Sequence, residues 1–459
     1  MQRGRQLVTI KVITYGTFDM FHEGHRRLLE RAREFGDHLT VAVTSEVYDA
    51  TRGKLNVQEG LSQRLDGVRR SGLADEIIVE EYEGQKLHDI QSRGIDVFVI
   101  GSDWSGKFDY LSPYCKVVYL ERTKGISSTD LRAQRNGVVR IGVVGSGRIA
   151  ARFVPESRFV SGVSVEAVYS PTPAHAQAFA AEHELVAACS DYAELLDQVD
   201  AVYLATPHGT HADYARTAIA AGKHVLCEKP MTLSADQTAE LYELAAAAQV
   251  VLLEGIKTAY APGFRRLLAI AQSGTIGQVV SIEATFTKLV PTGREQQAPE
   301  GGAISELASY VLLPAVKIFG TDHAQVRATS FKAADDEVEQ FSSIEVCYPG
   351  GLCTGRVGIG VKAEGELIIA GTEGYLYVPA PWWLTDYFEI RYENPGIRER
   401  RYVDFAGAGL RYEIAEFASV IRAGATTSYM LRPEESVALA GLIERARAEQ
   451  CFLSDKVRD

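Results

Sequence analysis

From Val8 to about Leu120 short apolar runs alternate with helical patterns: LVTIKVITY, HRRLLERAREFG, LTVAVT, and later EIIVE, DVFVIG and KVVYL. Apolar strands joined through amphipathic helices predict a parallel sheet. The polar segment RAQRNG, Arg132 to Gly137, precedes a fresh strand, VRIGVVG, after which strand and helix alternate again through VVLLEG at 250–255. Beyond about Gly277 the period shortens to two in VVSIEATFTKLV, SSIEVCYPGGLCTGRVGIGV and GELIIAGTEGYLYV, with glycine-bearing turns between them. That texture predicts a mostly antiparallel sheet. Two late stretches, YEIAEFASVIRAG and PEESVALAGLIERARAE, carry apolar residues at helical spacing and are expected to pack back on the preceding domain. The pattern thus predicts three parts: an α/β domain over 1–137, a second α/β domain over 138–258, and an α+β domain over 259–459.

Composition narrows the function. A chain of 459 residues with 46% hydrophobic and 24% charged positions has room for about three packed lobes and no compositional reason for long disorder. Its net charge of −12 opposes binding to nucleic acid or to an anionic membrane and favours small-molecule partners. The six cysteines are scattered, with no CxxC pair and no metal-ligand spacing to histidine, so reduced thiols and no structural metal are expected. MQRGRQLVTIKVITYG lacks the apolar core and cleavage site of a secretory signal, and no window approaches a membrane span, which predicts a cytoplasmic location. Homo-oligomeric association is also expected.

The strand VITYG runs into GTFDMFHEGH, Gly16 to His25, and then directly into a helix. Helix entrances favour anions, and His22 and His25 are spaced to present two imidazoles to one phosphate. GTFDMFHEGH resembles the GTFDxxHxGH signature of the glycerol-3-phosphate cytidylyltransferase family. The likeness extends over residues 10–135 through ATRGKLN, the LSQRL segment with Arg64, DVFVIGSDWSGKFDYL and VVYLERTKGISSTDLR. The family's ISTT stands here as Ile126, Ser127, Ser128 and Thr129, and the DDW of close relatives as Ser102, Asp103 and Trp104.

The resemblance implies attack of a substrate phosphate on the α-phosphorus of CTP with release of pyrophosphate, by positioning and charge stabilisation alone. It assigns His22, His25, Lys54 and Arg122 to catalysis. Gly16, Thr17, Phe18, Asp19, Arg64, Asp103, Thr123, Ile126, Ser127, Ser128 and Thr129 are assigned to the nucleotide, with Mg²⁺ accompanying CTP. Related nucleotidyltransferases use ATP, but SDWSGKFDYL and RTKGISS favour CTP. The acceptor would be a small phosphate monoester, such as a glycerol or other polyol phosphate.

The second glycine-rich loop follows VRIGVV. Gly145, Ser146, Gly147, Arg148, Ile149 and Ala150 form G-x-G-x-x-A between strand and helix, the turn that lets a backbone approach a pyrophosphate. The usual ribose-binding acid is replaced by Ser170, which leaves room for the 2′-phosphate of NADP without deciding between NAD and NADP. Together with ATPHGTHADYA, AGKHVLCEKP and GGAISELASY, the loop resembles the glucose-fructose oxidoreductase and inositol dehydrogenase family over about residues 138–455.

That resemblance places Thr206, Pro207, His208, His211, Glu228, Lys229 and Pro230 along the cofactor. It also aligns Glu306 and Tyr310 with the family's aspartate and histidine-or-tyrosine pair. Being four apart on a helix, the two share a face. Lys229, Glu306 and Tyr310 are the implied catalytic set for NAD(P)-dependent redox of a related polyol, keto-sugar phosphate or CDP-polyol, before or after cytidylyl transfer. Tyr310 handles the proton, and the Lys229 ammonium is expected to lower its pKa. Glu in place of Asp leaves the role of position 306 open, and Trp382 and Trp383 read as packing.

The whole therefore reads as a Rossmann-like nucleotidyltransferase domain fused to a Rossmann dinucleotide-binding domain and an α+β domain with a mostly antiparallel open sheet. The competing reading keeps only the first domain catalytic and makes the remainder an NAD(P)-binding regulatory module.

Overall fold

The computed structural model describes residues 9–45, 48, 57, 59–82, 84–121, 138–290, 293–299, 301–333 and 336–453. The chain divides into two compact units, Met1–Val138 with Val160–Gly162, and Val139–Phe159 with Val163–Asp459.

The first unit is built on five parallel strands, β1 (Lys11–Gly16), β2 (His38–Thr44), β3 (Glu76–Glu80), β4 (Val97–Gly101) and β5 (Lys116–Leu120), in the order 3-2-1-4-5. Val12, Leu29, Val41, Val68 and Val99 pack on one face of the sheet, and Ile13, Ala42, Ile90, Phe98 and Leu111 on the other. Strand order reverses between β1 and β4, which opens a crevice at the carboxyl end of β1. The helix Glu23–Arg33 starts there. Glu23 lies in its first turn and Arg31 and Arg33 in its last, in the sense that suits the helix dipole, while Leu29 and Ala32 bury its inner face.

The second unit carries two sheets. Six parallel strands, β6 (Val139–Val144), β7 (Val163–Tyr169), β8 (Ala187–Cys189), β9 (Ala201–Leu204), β10 (His224–Glu228) and β11 (Leu252–Gly255), follow the order 11-10-9-6-7-8. The switch point falls between β6 and β9, beside the glycine-rich loop.

The other sheet has nine strands: β12 (Val279–Lys288), β13 (Gln325–Phe331), β14 (Phe341–Tyr348), β15 (Gly351–Ile359), β16 (Leu367–Gly371), β17 (Tyr375–Val378), β18 (Tyr387–Arg391), β19 (Arg398–Tyr402) and β20 (Gln450–Phe452). Their order is 19-18-17-16-12-15-14-13-20. Neighbours run antiparallel except at β12 with β15 and β13 with β20. Pairing of β12 with β15 demands a long crossover, and the chain fills it with the helix Ala303–Phe319, buried continuously from Ala303 to Val316. Gly355 on β15 lets that helix approach, since a Cβ there would lie 2.7 Å from a Val311 methyl. The Glu339 carboxylate accepts the Ile304 N–H at 2.9 Å and closes the helix's N-terminus.

The late amphipathic stretches form helices Leu410–Arg422 and Pro433–Ala448. The Arg411 guanidinium meets Glu156 of the helix Arg148–Ser157 at 2.7 Å in a buried ion pair. The Glu444 carboxylate accepts the Ala235 N–H at 3.0 Å.

Candidate active sites

In the first unit His22 is itself the N-cap of Glu23–Arg33, its Nδ1 accepting the Gly24 N–H at 3.0 Å. His25, one turn on, stacks against it with ring centroids 3.9 Å apart and planes 19° apart. Gly24 is required locally, because a Cβ would meet the His22 ring at 2.9 Å. The preceding turn is strained: Phe18 (φ 54°) and Met20 (φ 49°) both occupy the left-handed region.

Two reciprocal bonds hold that turn. Asp19 accepts the Glu59 N–H at 2.9 Å, and Glu59 accepts the Met20 N–H at 3.0 Å. The Phe18 ring is a core residue packed edge-on to His25, so from this position only the backbone is offered to a nucleotide. Gly16 and Thr17 complete the loop, Thr17 being buried.

Arg64 corrects the sequence reading. It is fully buried, and its guanidinium donates to the carbonyls of Glu59 (3.0 Å), Thr17 (2.8 Å) and Thr44 (2.7 Å). A fixed fork of N–H donors suits three converging carbonyls as well as it suits phosphate, and here it braces the histidine loop against β2. Lys54, Arg122, Thr123, Ile126, Ser127, Ser128 and Thr129 lie outside the described residues, as does the side chain of Asp103.

In the second unit Gly145 sits at φ 102° with the Ala205 carbonyl 2.6 Å from where a Cβ would stand, so only glycine makes this turn. Gly147 caps the helix Arg148–Ser157 with nothing within 4 Å of its Cβ position. Ala150 is buried where helix meets sheet, and Ser170 is buried at the end of β7. A side-chain-free cradle at a helix N-terminus fits the pyrophosphate of a dinucleotide. Ser146, Arg148 and Ile149 flank it, and Arg148 reaches Glu295 at 2.6 Å.

His211 is wholly buried. Its Nδ1 lies 3.0 Å from the Pro230 carbonyl and its Nε2 2.9 Å from that of Thr206, so it staples two loops together and leaves no ring nitrogen for a cofactor. Thr206 accepts the Thr210 hydroxyl at 2.8 Å, and Pro207 opens the short turn that carries His208.

Lys229, Glu306 and Tyr310 come together. The Lys229 Nζ donates to the Glu306 main-chain carbonyl at 2.9 Å, lies 3.9 Å from the Glu306 carboxylate, and stands 5.7 Å from the Tyr310 ring centroid. His208 and Arg294 approach the same carboxylate at 3.6 and 3.4 Å. Glu228 is buried and accepts the Tyr203 hydroxyl at 2.5 Å.

The expected direction of the Tyr310 pKa is overturned. Burial, followed by the negative charges of Glu228, Glu413 and Glu306, raises it well above the usual value. Lys229 stands toward the ring, and three acids surround the phenol. Sequence reasoning missed Tyr203, Arg294 and Glu413. An acid inside the apolar stripe of YEIAEFASVI was a readable signal for Glu413, whereas loop residue Arg294 offered none. Trp382 is buried with its Nε1 donating to the Thr285 carbonyl at 3.0 Å, and Trp383 stacks on Phe286 at 3.6 Å, both as packing.

Family comparisons agree with this geometry. Residues 13–134 match the cytidylyltransferase-like family, 139–256 the oxidoreductase family with an NAD-binding Rossmann fold, and 264–377 the GFO/IDH/MocA C-terminal domain. Glycerol-3-phosphate cytidylyltransferase of Bacillus spizizenii is 47% identical over 122 residues, 27% of this chain and 94% of that protein. The NADP-dependent scyllo-inositol 2-dehydrogenase of Bacillus subtilis is 27% identical over 330 residues, 68% of this chain and 97% of the relative. A 3-ketoreductase from Actinomadura kijaniata, solved with NADP and TDP-benzene, shares the fold of the second unit. Its TM-score is 0.63 at 24% identity, covering 69% of this chain and 99% of that one.

The chain belongs to the cytidylyltransferase-like family through its first unit and to the GFO/IDH/MocA oxidoreductases through its second. It is a bifunctional enzyme, a cytidylyltransferase fused to an NAD(P)-dependent oxidoreductase. Among the described residues no helix is long and apolar enough to cross a membrane.

Proposed function

We propose that the first unit transfers the cytidylyl group of CTP, with Mg²⁺, to a small polyol phosphate of the glycerol 3-phosphate kind, and that the second reduces a related keto compound with NADPH. The observation that carries the first half is the stacked His22–His25 pair at a capped helix entrance, held by a strained turn. Two imidazoles on one side of a phosphate stabilise the charge that builds as the acceptor oxygen attacks the α-phosphorus and pyrophosphate leaves. Lys54 and Arg122 take the acceptor phosphate and the leaving group, with Ser127, Ser128 and Thr129 on the outer phosphates. Asp103 and Thr123 complete the nucleotide site.

For the second half, bound NAD(P)H supplies a hydride. Gly145, Gly147 and the helix behind them hold its pyrophosphate, and Ser170 leaves space for a 2′-phosphate. Burial keeps Tyr310 a neutral phenol, which suits donation of a proton to a carbonyl oxygen and so favours the reductive direction. Lys229, fixed by the Glu306 carbonyl, orients that oxygen. The intact enzyme functions as a homo-oligomer.

Pyrophosphate release measured with CTP and with ATP over a panel of polyol phosphates tests the reading. Faster release with CTP is expected, and equal or faster turnover with ATP contradicts it.

A further inference from the structure

Four cationic side chains, joined by His208 when it is protonated, gather around two carboxylates at the redox site. Glu306 faces Lys229, Arg294 and, when protonated, His208, at 3.9, 3.4 and 3.6 Å. None of these contacts is tight, and Glu306 Oε1 accepts no hydrogen bond among the described residues. One residue along the turn that carries Arg294, Glu295 is taken by Lys288 at 2.8 Å and Arg148 at 2.6 Å. Burial disfavours the Glu295 charge, yet the Lys288 bond and both cations hold its pKa below the usual range, so that carboxylate stays ionised between Lys288 and Arg148. A further buried acid, Glu228, accepts the Tyr203 hydroxyl, and burial raises its pKa. Arg148 and Arg294 are thus the cations with capacity to spare, 61% and 45% exposed and each ion-paired through a single nitrogen in the described structure; Arg148 opens the helix behind the dinucleotide loop, whereas Arg294 shares Glu306 with Lys229.

We infer that Arg294 binds the phosphate of the redox substrate, a short keto-polyol phosphate monoester, so that reduction precedes cytidylyl transfer; this rests on the reductive reading of the site given above. Arg294 and Lys229 touch the same Glu306 carboxylate, which sets a carbonyl at Lys229 and an oxyanion at Arg294 a few carbons apart. A planar fork with free N–H donors matches a phosphate bidentately. In the step itself the carbonyl carbon gains the cofactor's hydride, the C=O π pair moves to oxygen, and that oxygen takes the Tyr310 proton, which solvent restores. The product is a polyol phosphate, the class of acceptor that the first unit uses.

The test follows NADPH consumption by the full-length enzyme with dihydroxyacetone phosphate, ribulose 5-phosphate and xylulose 5-phosphate, each beside its unphosphorylated ketose. Dissociation constants for NADPH are measured in parallel. Wild type is expected to prefer at least one phosphate ester over its neutral partner, and Arg294→Gln to cut that preference, as a ratio of kcat/KM values, at least tenfold with NADPH affinity retained. Arg294→Lys should restore part of it. Equal use of neutral and phosphorylated ketoses overturns the inference and leaves the reductive reading standing. An Arg294→Gln effect confined to NADPH affinity also overturns it, by moving Arg294 to the cofactor. Oxidation of a CDP-polyol with NADP⁺ in preference to reduction of every phosphate ester reverses the order of the steps. NADPH binding without turnover of any ketose removes the reductive reading itself.

Discussion

The Lys229 ammonium is held by the main-chain carbonyl of Glu306 at 2.9 Å and only loosely by the Glu306 carboxylate, 3.9 Å away. A residue of any side-chain length at 306 therefore keeps the lysine in place, which explains how glutamate stands where the family has aspartate. The carboxylate's work is to hold Arg294 and Lys229 together against their mutual repulsion, with His208 beside them. Glu306→Asp is expected to lower redox kcat/KM by less than about tenfold, and Glu306→Ala by about a hundredfold, the equivalent of about 2.7 kcal/mol. Steady-state kinetics on the two variants checks this. Equal losses would remove the carboxylate from the account.

Arg64 gives a stability prediction where its sequence suggested a catalytic one. Replacing it by methionine keeps bulk but strips two buried carbonyls and one half-buried carbonyl of their donor, at a cost of about 3 kcal/mol. Calorimetry of Arg64→Met should show the transition of the first unit shifted down while NADPH binding by the second is unchanged. An unshifted transition with lost cytidylyl transfer would return Arg64 to the phosphates.

Glu254 supplies a pH dependence. Burial raises its pKa to about 7, although it accepts the Met231 N–H at 2.9 Å. A folded-state value above the unfolded one means the folded protein holds the extra proton. The acid is therefore at no disadvantage below about pH 4.5, and stability falls as pH rises from there to about 7, staying reduced above it. The integrated effect is about 3 kcal/mol. Glu254→Gln keeps the acceptor and abolishes the titration, so its melting temperature relative to wild type should climb between about pH 5 and about pH 8. A constant difference across that range would refute the shift.

What could be read from sequence was what local chemistry dictates. Gly24 of HEGH and Gly145 of GSGRIA answer to a contact two residues away and to the adjoining strand, and their loops lie where the motifs put them. Runs such as EIIVE and KVVYL coincide with β3 and β5 because short stretches rich in β-branched residues, bounded by charge, suit the edge strands of a sheet. Arg64 was misread because nothing in its neighbourhood tells that carbonyls from residues 17 and 44 converge on it. The direction of the Tyr310 pKa was misread for a like reason: Glu228 comes from β10 and Glu413 from the helix Leu410–Arg422, far apart in sequence. The parallel pairing of β12 with β15 depends on a crossover that no periodicity records, and RERRY in β19 carries no apolar alternation to mark it as a strand.

The central claim is that two independent chemistries share one chain, and two single substitutions assayed side by side test it most directly. His25→Ala removes an imidazole from the phosphate site, and Tyr310→Phe removes the phenolic proton while keeping the ring. Pyrophosphate release from CTP with glycerol 3-phosphate and NADPH oxidation with a keto-polyol phosphate are measured on both proteins. His25→Ala should lose pyrophosphate release by about a hundredfold or more and keep NADPH oxidation, and Tyr310→Phe should do the reverse. Loss of both activities in either variant, or of neither, would contradict the account.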